Sequence, residues 1–250
     1  MFKWFSNKKT VAAQPNPKAG TPSLLCIYVA YNIDDDDINF ITNNCRECEF
    51  IVIDSLNRPY LNASRLSKNP DVEYMQRPNI GYDVGAWKEY ILKNYEKIKQ
   101  YEYVVLMNNS CRYDFKLRNA LNDMIRKHLT FYGLNKSPVH TDHIQSYFTI
   151  IHKDIVNRQE FINHWIFMRD ITGRDDAIQG HELTFMQSMV KIGAKAGTLT
   201  TYDFIGSGYE PERYNDNMGV VPPFIKKKIL RVPGIRTHYE KLLKNLPHML

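Results

Sequence analysis

Short apolar runs alternate with amphipathic stretches along this chain. Leu24–Ala30 (LLCIYVA), Phe50–Ile53 (FIVI), Val72–Gln76, Tyr103–Met107 (YVVLM), Tyr147–Ile151 (YFTII) and Ala196–Leu199 have the length and apolar character of strands. Helices are predicted between them. One opens on Asp34–Asp37, where the positive end of a helix dipole favours acids, and runs to about Cys48. Another spans Asp83 to about Lys99, with Val84, Trp87, Ile91 and Ile98 on one face. Residues 116–129 align Leu117, Leu121, Ile125 and His128, and Ile155–Met168 and Glu182–Ile192 complete the set. Strands alternating with helices imply an α/β domain: a mostly parallel sheet with helices on both faces. Residues 1–22 read as a flexible basic arm, 23–235 as the domain, and 236–250 as a basic C-terminal helix or tail.

Charge sharpens this picture. The 250 residues hold 33 Lys+Arg and 27 Asp+Glu, a formal net charge of +6. Residues 1–22 carry four basic residues and no acid. Residues 226–250 carry seven basic residues and one acid, Glu240, so the body between is net acidic. An acidic body argues against nucleic-acid binding. Basic ends suit peripheral contact with an anionic membrane surface, an acidic partner, or plain solvation. No run approaches the roughly 18 apolar residues of a membrane span. The start lacks the uninterrupted apolar segment of a secretory signal, so a cytoplasmic location is expected. Cys45 and Cys48 have metal or redox spacing, but no second pair completes a zinc site. Ile38, Ile41, Cys45 and Cys48 share a helical face, which predicts buried thiols.

Ligands of open α/β sheets bind at the carboxyl ends of the strands. Polar residues follow the first four strands: Tyr31-Asn32, Asp54-Ser55, Arg77-Pro-Asn79-Ile-Gly81-Tyr82-Asp83 and Asn108-Asn109-Ser110. No GxGxxG turn, GxxxxGK[ST] loop or GxSxG elbow is present, and His181-Glu182 does not extend to HExxH because Phe185 stands last. Acids and amides at strand ends suit a nucleotide-sugar enzyme. Such a site needs groups for the base and ribose, positive charge for the leaving diphosphate, and a carboxylate base for the acceptor hydroxyl.

RPNIGYDVGAWKEYI (77–91), VVLMNNSCRYDF (104–115), HIQSYFTIIHKDIV (143–156), GHELTFMQSMVKIGAKAGTL (180–199) and PPFIKKKILR (222–231) resemble, in order, the rhamnan synthesis protein F family. The resemblance covers about residues 23–235. It implies a GT-A-like, Rossmann-like fold and an inverting transfer of a sugar, rhamnose or another hexose, in surface polysaccharide or glycoprotein glycan synthesis. The donor it implies is a UDP-, dTDP- or GDP-sugar, and the acceptor a glycan or lipid-linked glycan. It places Tyr31, Asn32, Asp54, Ser55, Arg77, Asn79, Gly81, Tyr82 and Asp83 around the donor. Asn108-Asn109-Ser110 matches the family's Asn-Asp-Ser, which stands in for a metal-binding Asp-x-Asp. The amide at Asn109 is a poor ligand for Mn²⁺ or Mg²⁺, with Asp114 or a basic side chain as the substitute. His143 and Gln145, with Ser146, match a His-x-Gln-Ser-Tyr segment on the acceptor side. Glu182 is the expected base, with Asp175 and Asp176 as alternatives; a favourable helix-dipole position is the other reading of Glu182. Arg213, Tyr214 and PPFIKKKILR are expected over the donor, one lysine meeting diphosphate. The other class of function is a catalytically inactive nucleotide-sugar or glycan-binding module, which the amide at 109 motivates.

Overall fold

Successive residues of Leu24–Ala30 face opposite sides of one sheet, and both sides are covered, which is why the run is apolar throughout. A computed structural model describes residues 23–55, 63–137, 142–200 and 221–245. Arg213 and Tyr214 lie outside the described residues.

The elements run β1 (Leu24–Ala30), α1 (Asp35–Asn44), β2 (Glu49–Asp54), α2 (Ala63–Ser67), β3 (Val72–Gln76), α3 (Tyr82–Ile98), β4 (Tyr103–Asn108) and β5 (Cys111–Tyr113). Then come α4 (Leu117–Arg126), β6 (Phe131–Ser137), β7 (His143–Ile144), β8 (Phe148–His152), α5 (Lys153–Val156), α6 (Gln159–Phe167) and α7 (Arg174–Ala177). A π-helical turn (Ile178–Glu182), α8 (Leu183–Lys191), β9 (Ala196–Thr200), β10 (Phe224–Lys226) and α9 (Ile235–Asn245) follow.

The sheet order is β3-β2-β1-β4-β8-β6-β7, with β9 also on β6. The first four strands are mutually parallel, and β9 is parallel to β6. β8 runs antiparallel to both β4 and β6, so the sheet is mixed but mostly parallel. Cys26 and Tyr28 face Ile38, Phe40 and Ile41 of α1 and Leu121 and Met124 of α4. Leu25, Ile27 and Val29 face Trp87 and Ile91 of α3, Trp165 of α6 and Phe185 of α8. Helices therefore cover both faces, as expected. All four cysteines are buried free thiols, and Cys45 and Cys48 join the α1 side of the core.

The basic C-terminal segment docks on the molecule. β10 pairs antiparallel with β5, and α9 buries Tyr239 and Leu242 against Val221, Ile225, Ile229 and Leu230. Arg236 meets Asp36 at 3.0 Å, and Arg112 of β5 meets Glu240 at 2.7 Å. Three of the four aspartates at the start of α1, Asp34, Asp36 and Asp37, thus meet the basic end, while Asp35 pairs with Arg65. Among the described residues no helix is long and apolar enough to cross a membrane.

Candidate active site

The turn entering α3 is built for close backbone approach. Gly81 caps the helix at φ +73° and accepts the Gly85 amide at 2.7 Å. A Cβ on Gly85 would fall 2.6 Å from the Ile80 carbonyl oxygen, so only glycine fits there. Arg77 braces this turn. Its Nε donates to Glu89 at 3.1 Å and its Nη2 to the Ile80 carbonyl at 2.8 Å. Asn79 and Tyr82 are exposed on the outside of the turn.

Asp83 lies in the first turn of α3, one residue past the start of the helix rather than at its cap. Asn108, at the end of β4, donates its amide to Asp83 and accepts both the Ser110 backbone N–H (3.0 Å) and hydroxyl (2.6 Å). The end of β4 is thereby wired to the start of α3. Burial pushes the Asp83 carboxyl up and the nearby Glu182 charge adds to it, against the bonds from Asn108 and the backbone. On the neighbouring strands, Asp54 is buried and accepts from the Tyr74 hydroxyl at 2.6 Å, while the Ser55 amide donates to Ala30. The Tyr31 ring stands 59% exposed beside them, and Asn32 takes the left-handed conformation at φ +66°.

Asn109 is a clasp. Its Oδ1 accepts the Tyr31 N–H at 3.1 Å. Its amide nitrogen reaches the Tyr31 and Asn32 carbonyls (3.2 and 3.4 Å) and Asp37 Oδ2 (3.3 Å). Asp114 is also engaged: Arg112 Nε donates to both its oxygens at 3.0 Å. With Asp36 and Arg112 it lines a cleft of about 470 Å³ beside α1 that includes none of Asp83, Asn108 or Glu182. Among the described residues no three His, Cys, Asp or Glu side chains are grouped to hold a metal ion. The residues at the Asp-x-Asp position therefore do not fit a hard cation: two amides and a hydroxyl, with the middle amide already committed. Restoring the family residue should harm the fold. Asn109→Asp would set a carboxylate against Asp37 and two carbonyls, and an expected loss of about 2 kcal/mol is readable by urea unfolding. An unchanged midpoint would show that the clasp is dispensable.

Glu182, His143, Gln145 and Ser146 gather at the π-helical turn. α7, this turn and α8 form one helical stretch, so Glu182 sits inside it and the helix-dipole reading does not apply. Ser146 Oγ donates to Glu182 Oε2 at 2.6 Å, and His143 Nε2 lies 3.3 Å from Oε1. Gln145 Nε2 is 3.3 Å from the same ring nitrogen. With that ring nitrogen protonated, His143 donates to the ionised Glu182. Burial opposes ionisation of Glu182, but His143, Ser146 and the Lys226 charge outweigh it and hold its carboxyl below the usual range. Asp176 has a different task. Its Oδ2 accepts the Thr172 and Gly173 amides (3.0 and 2.9 Å) and caps α7 on the exposed surface, so the structure does not bring it to Glu182. Asp175 is likewise exposed on α7.

Two further features lie outside the strand-end segments that the sequence singled out. Lys226 of β10 is only 6% exposed, with Nζ 3.3 Å from Ser110 Oγ and 3.6 Å from the centroid of the Tyr147 ring. The triple lysine was the signal, but which of the three points inward depends on the β5–β10 register. His181, beside Glu182 in sequence, packs among Trp87, Trp165 and Phe185 and meets His164 at 3.1 Å. Burial lowers both, His164 to about 4, so this pair is neutral packing material under the π-helical turn.

The rhamnan synthesis protein F family model matches residues 56–239, somewhat less than the resemblance suggested, since β1, α1 and β2 precede it. No curated protein matches the chain. Among solved structures, one described as a nucleotide-diphospho-sugar transferase from Desulfovibrio desulfuricans G20 is similar at 12% identity and TM-score 0.47, over 89% of this chain and 95% of that one. One described as a glucose-1-phosphate thymidylyltransferase from Bacillus anthracis is similar at 6% identity and TM-score 0.46, over 71% and 87%. A glycosyltransferase involved in glycosylation of the major capsid of PBCV-1 is similar at 9% identity and TM-score 0.38, over 88% and 99%. With three quarters of its length inside the family model, the chain belongs to the rhamnan synthesis protein F family and is a glycosyltransferase.

Proposed function

We propose that the protein transfers a hexose, rhamnose or another, from a UDP-, dTDP- or GDP-sugar to a hydroxyl of a glycan or lipid-linked glycan, with inversion at the anomeric carbon. Asp54, Ser55 and Tyr31 receive the nucleoside, and Asp83, Asn108 and Ser110 the diphosphate end and the sugar. The acceptor oxygen attacks the anomeric carbon from the face opposite the diphosphate. Its new C–O bond forms as the bond to the phosphate oxygen breaks. The hydroxyl proton passes to Glu182, and the electron pair leaves with the nucleoside diphosphate. No step runs through a metal.

One observation carries this reading: the part-buried Glu182 carboxylate accepts from Ser146 and lies against His143, beside the end of β4 and the start of α3. A general base must be charged at working pH yet shielded from bulk water, and Glu182 meets both needs, its side chain being 21% exposed. The test is a screen of UDP-, dTDP- and GDP-sugars for release of nucleoside diphosphate in the presence of glycan acceptors. Release with one donor, dependent on the acceptor, is the expected result. Donor binding by thermal shift with no release under any condition would favour the binding module.

A further inference from the structure

Resting on that reading, we infer that the ammonium of Lys226, and not a divalent metal, supplies the positive charge at the leaving diphosphate. Two independent features lead there. The first is the misfit already described at the Asp-x-Asp position. Asn109 is spent on Tyr31, Asn32 and Asp37, and Asp114 on Arg112. The second is the placing of Lys226 at that same strand end. Its Nζ lies 3.3 Å from Ser110 Oγ, whose hydroxyl is fixed by Asn108.

The ammonium is fixed from several sides. The β5–β10 ladder sets Lys226 opposite Cys111, and the next amide, Lys227 N–H, donates to the Ser110 carbonyl at 2.9 Å. The Tyr147 ring lies under the charge as a cation–π floor. That ring is itself immobilised: its hydroxyl donates to buried Asn135, and its carbonyl accepts Asn108 N–H (3.1 Å) and the Tyr113 hydroxyl (2.9 Å). A cation held in place before reaction stabilises developing charge without reorganisation. Lysine serves phosphate as a compact point charge with three donors. Lys226 also acts on Glu182 through its field.

Binding of UDP, dTDP and GDP to the purified full chain, by calorimetry in EDTA and again with Mn²⁺, tests this. One of the three should bind in EDTA, with less than a twofold gain on adding Mn²⁺. Lys226→Met should weaken that diphosphate roughly tenfold to a hundredfold and leave the parent nucleoside unchanged. Lys226→Arg should recover most of the loss. The nucleoside arm also reports that the variants are folded. Binding seen only with Mn²⁺, or a Lys226→Met loss equal for nucleoside and diphosphate, would overturn the inference and leave the transferase reading standing. Failure of all three diphosphates under both conditions would overturn both.

Discussion

Glu182→Gln is expected to lower the turnover number by about a thousandfold while donor affinity stays within a few-fold of the parent value. The amide keeps the shape of the side chain. It can still accept from Ser146, now 2.6 Å from Oε2, so the π-helical turn should hold. What it cannot do is take the acceptor proton. His143 gives the assignment a second reading. If Glu182 is the base, the lower limb of the pH–rate profile reports its ionisation. Removing His143 or Ser146 removes bonds that hold the carboxyl down, with burial remaining to push it up. His143→Ala and Ser146→Ala should therefore each shift that limb to higher pH. A merely structural role for His143 would lower turnover without moving the limb. Unchanged turnover in Glu182→Gln would remove Glu182 from the chemistry and turn attention to an acid outside the described residues.

The frame of this site was legible because of what burial demands. β1, β2 and β4 are apolar at nearly every position because both faces are covered, so each stood out as a run. Their ends were then the place to look, and Asp83, Asn108 and Ser110 do converge there. β6 was not legible. Its sequence FYGLNKS is interrupted by Gly133 and Asn135, and both are there for contacts with distant residues. A Cβ at Gly133 would fall 2.1 Å from the Ile144 side chain, and Asn135 accepts from Tyr147. Missing β6 concealed the antiparallel β8, because the strand order follows from β6 lying beyond it. The single helix expected over 155–168 is two, because the chain turns at Asn157–Arg158 before α6 begins. Arg77 and Asp176 stood out in the sequence as candidate site residues, but local sequence could not separate a ligand contact from a turn brace or a helix cap. Those roles differ only in which atoms lie nearby. Lys226 was obscured for the same reason: three lysines in a row look alike until a strand ladder selects one.

Lys227→Met is expected to cost about 3 kcal/mol of stability at pH 8 and clearly less at pH 5, measured by urea unfolding at each. Lys227 Nζ lies 2.8 Å from both oxygens of Asp34 and 2.6 Å from Asp37 Oδ1. Asp37 is 2% exposed and joins four segments: Tyr28 of β1, the Asp34 amide, Asn109 after β4, and Lys227 after β10. Burial pushes its carboxyl up to about 6 even with Lys227 in place. A folded value above the ordinary one means that ionisation of Asp37 costs stability as pH rises through about 6. Asp34 is the opposite case. Burial works against its charge, but Lys227 prevails and holds it below its ordinary value. Without Lys227 both carboxyls rise, so both keep their protons longer. At pH 5 Asp37 is largely protonated already and needs the lysine little; at pH 8 it must ionise without a counter-charge or hold its proton at a cost. The deficit should therefore widen with pH. An equal deficit at both values would mean that Lys227 acts through its aliphatic stem. The widening matters for function because Asp37 Oδ2 also holds the Asn109 amide, and Asn109 fixes the Tyr31–Asn32 backbone. A weakened hub should loosen the donor loop, so Lys227→Met should raise the donor KM more at pH 8 than at pH 6, while Glu182 and turnover at saturating donor are spared.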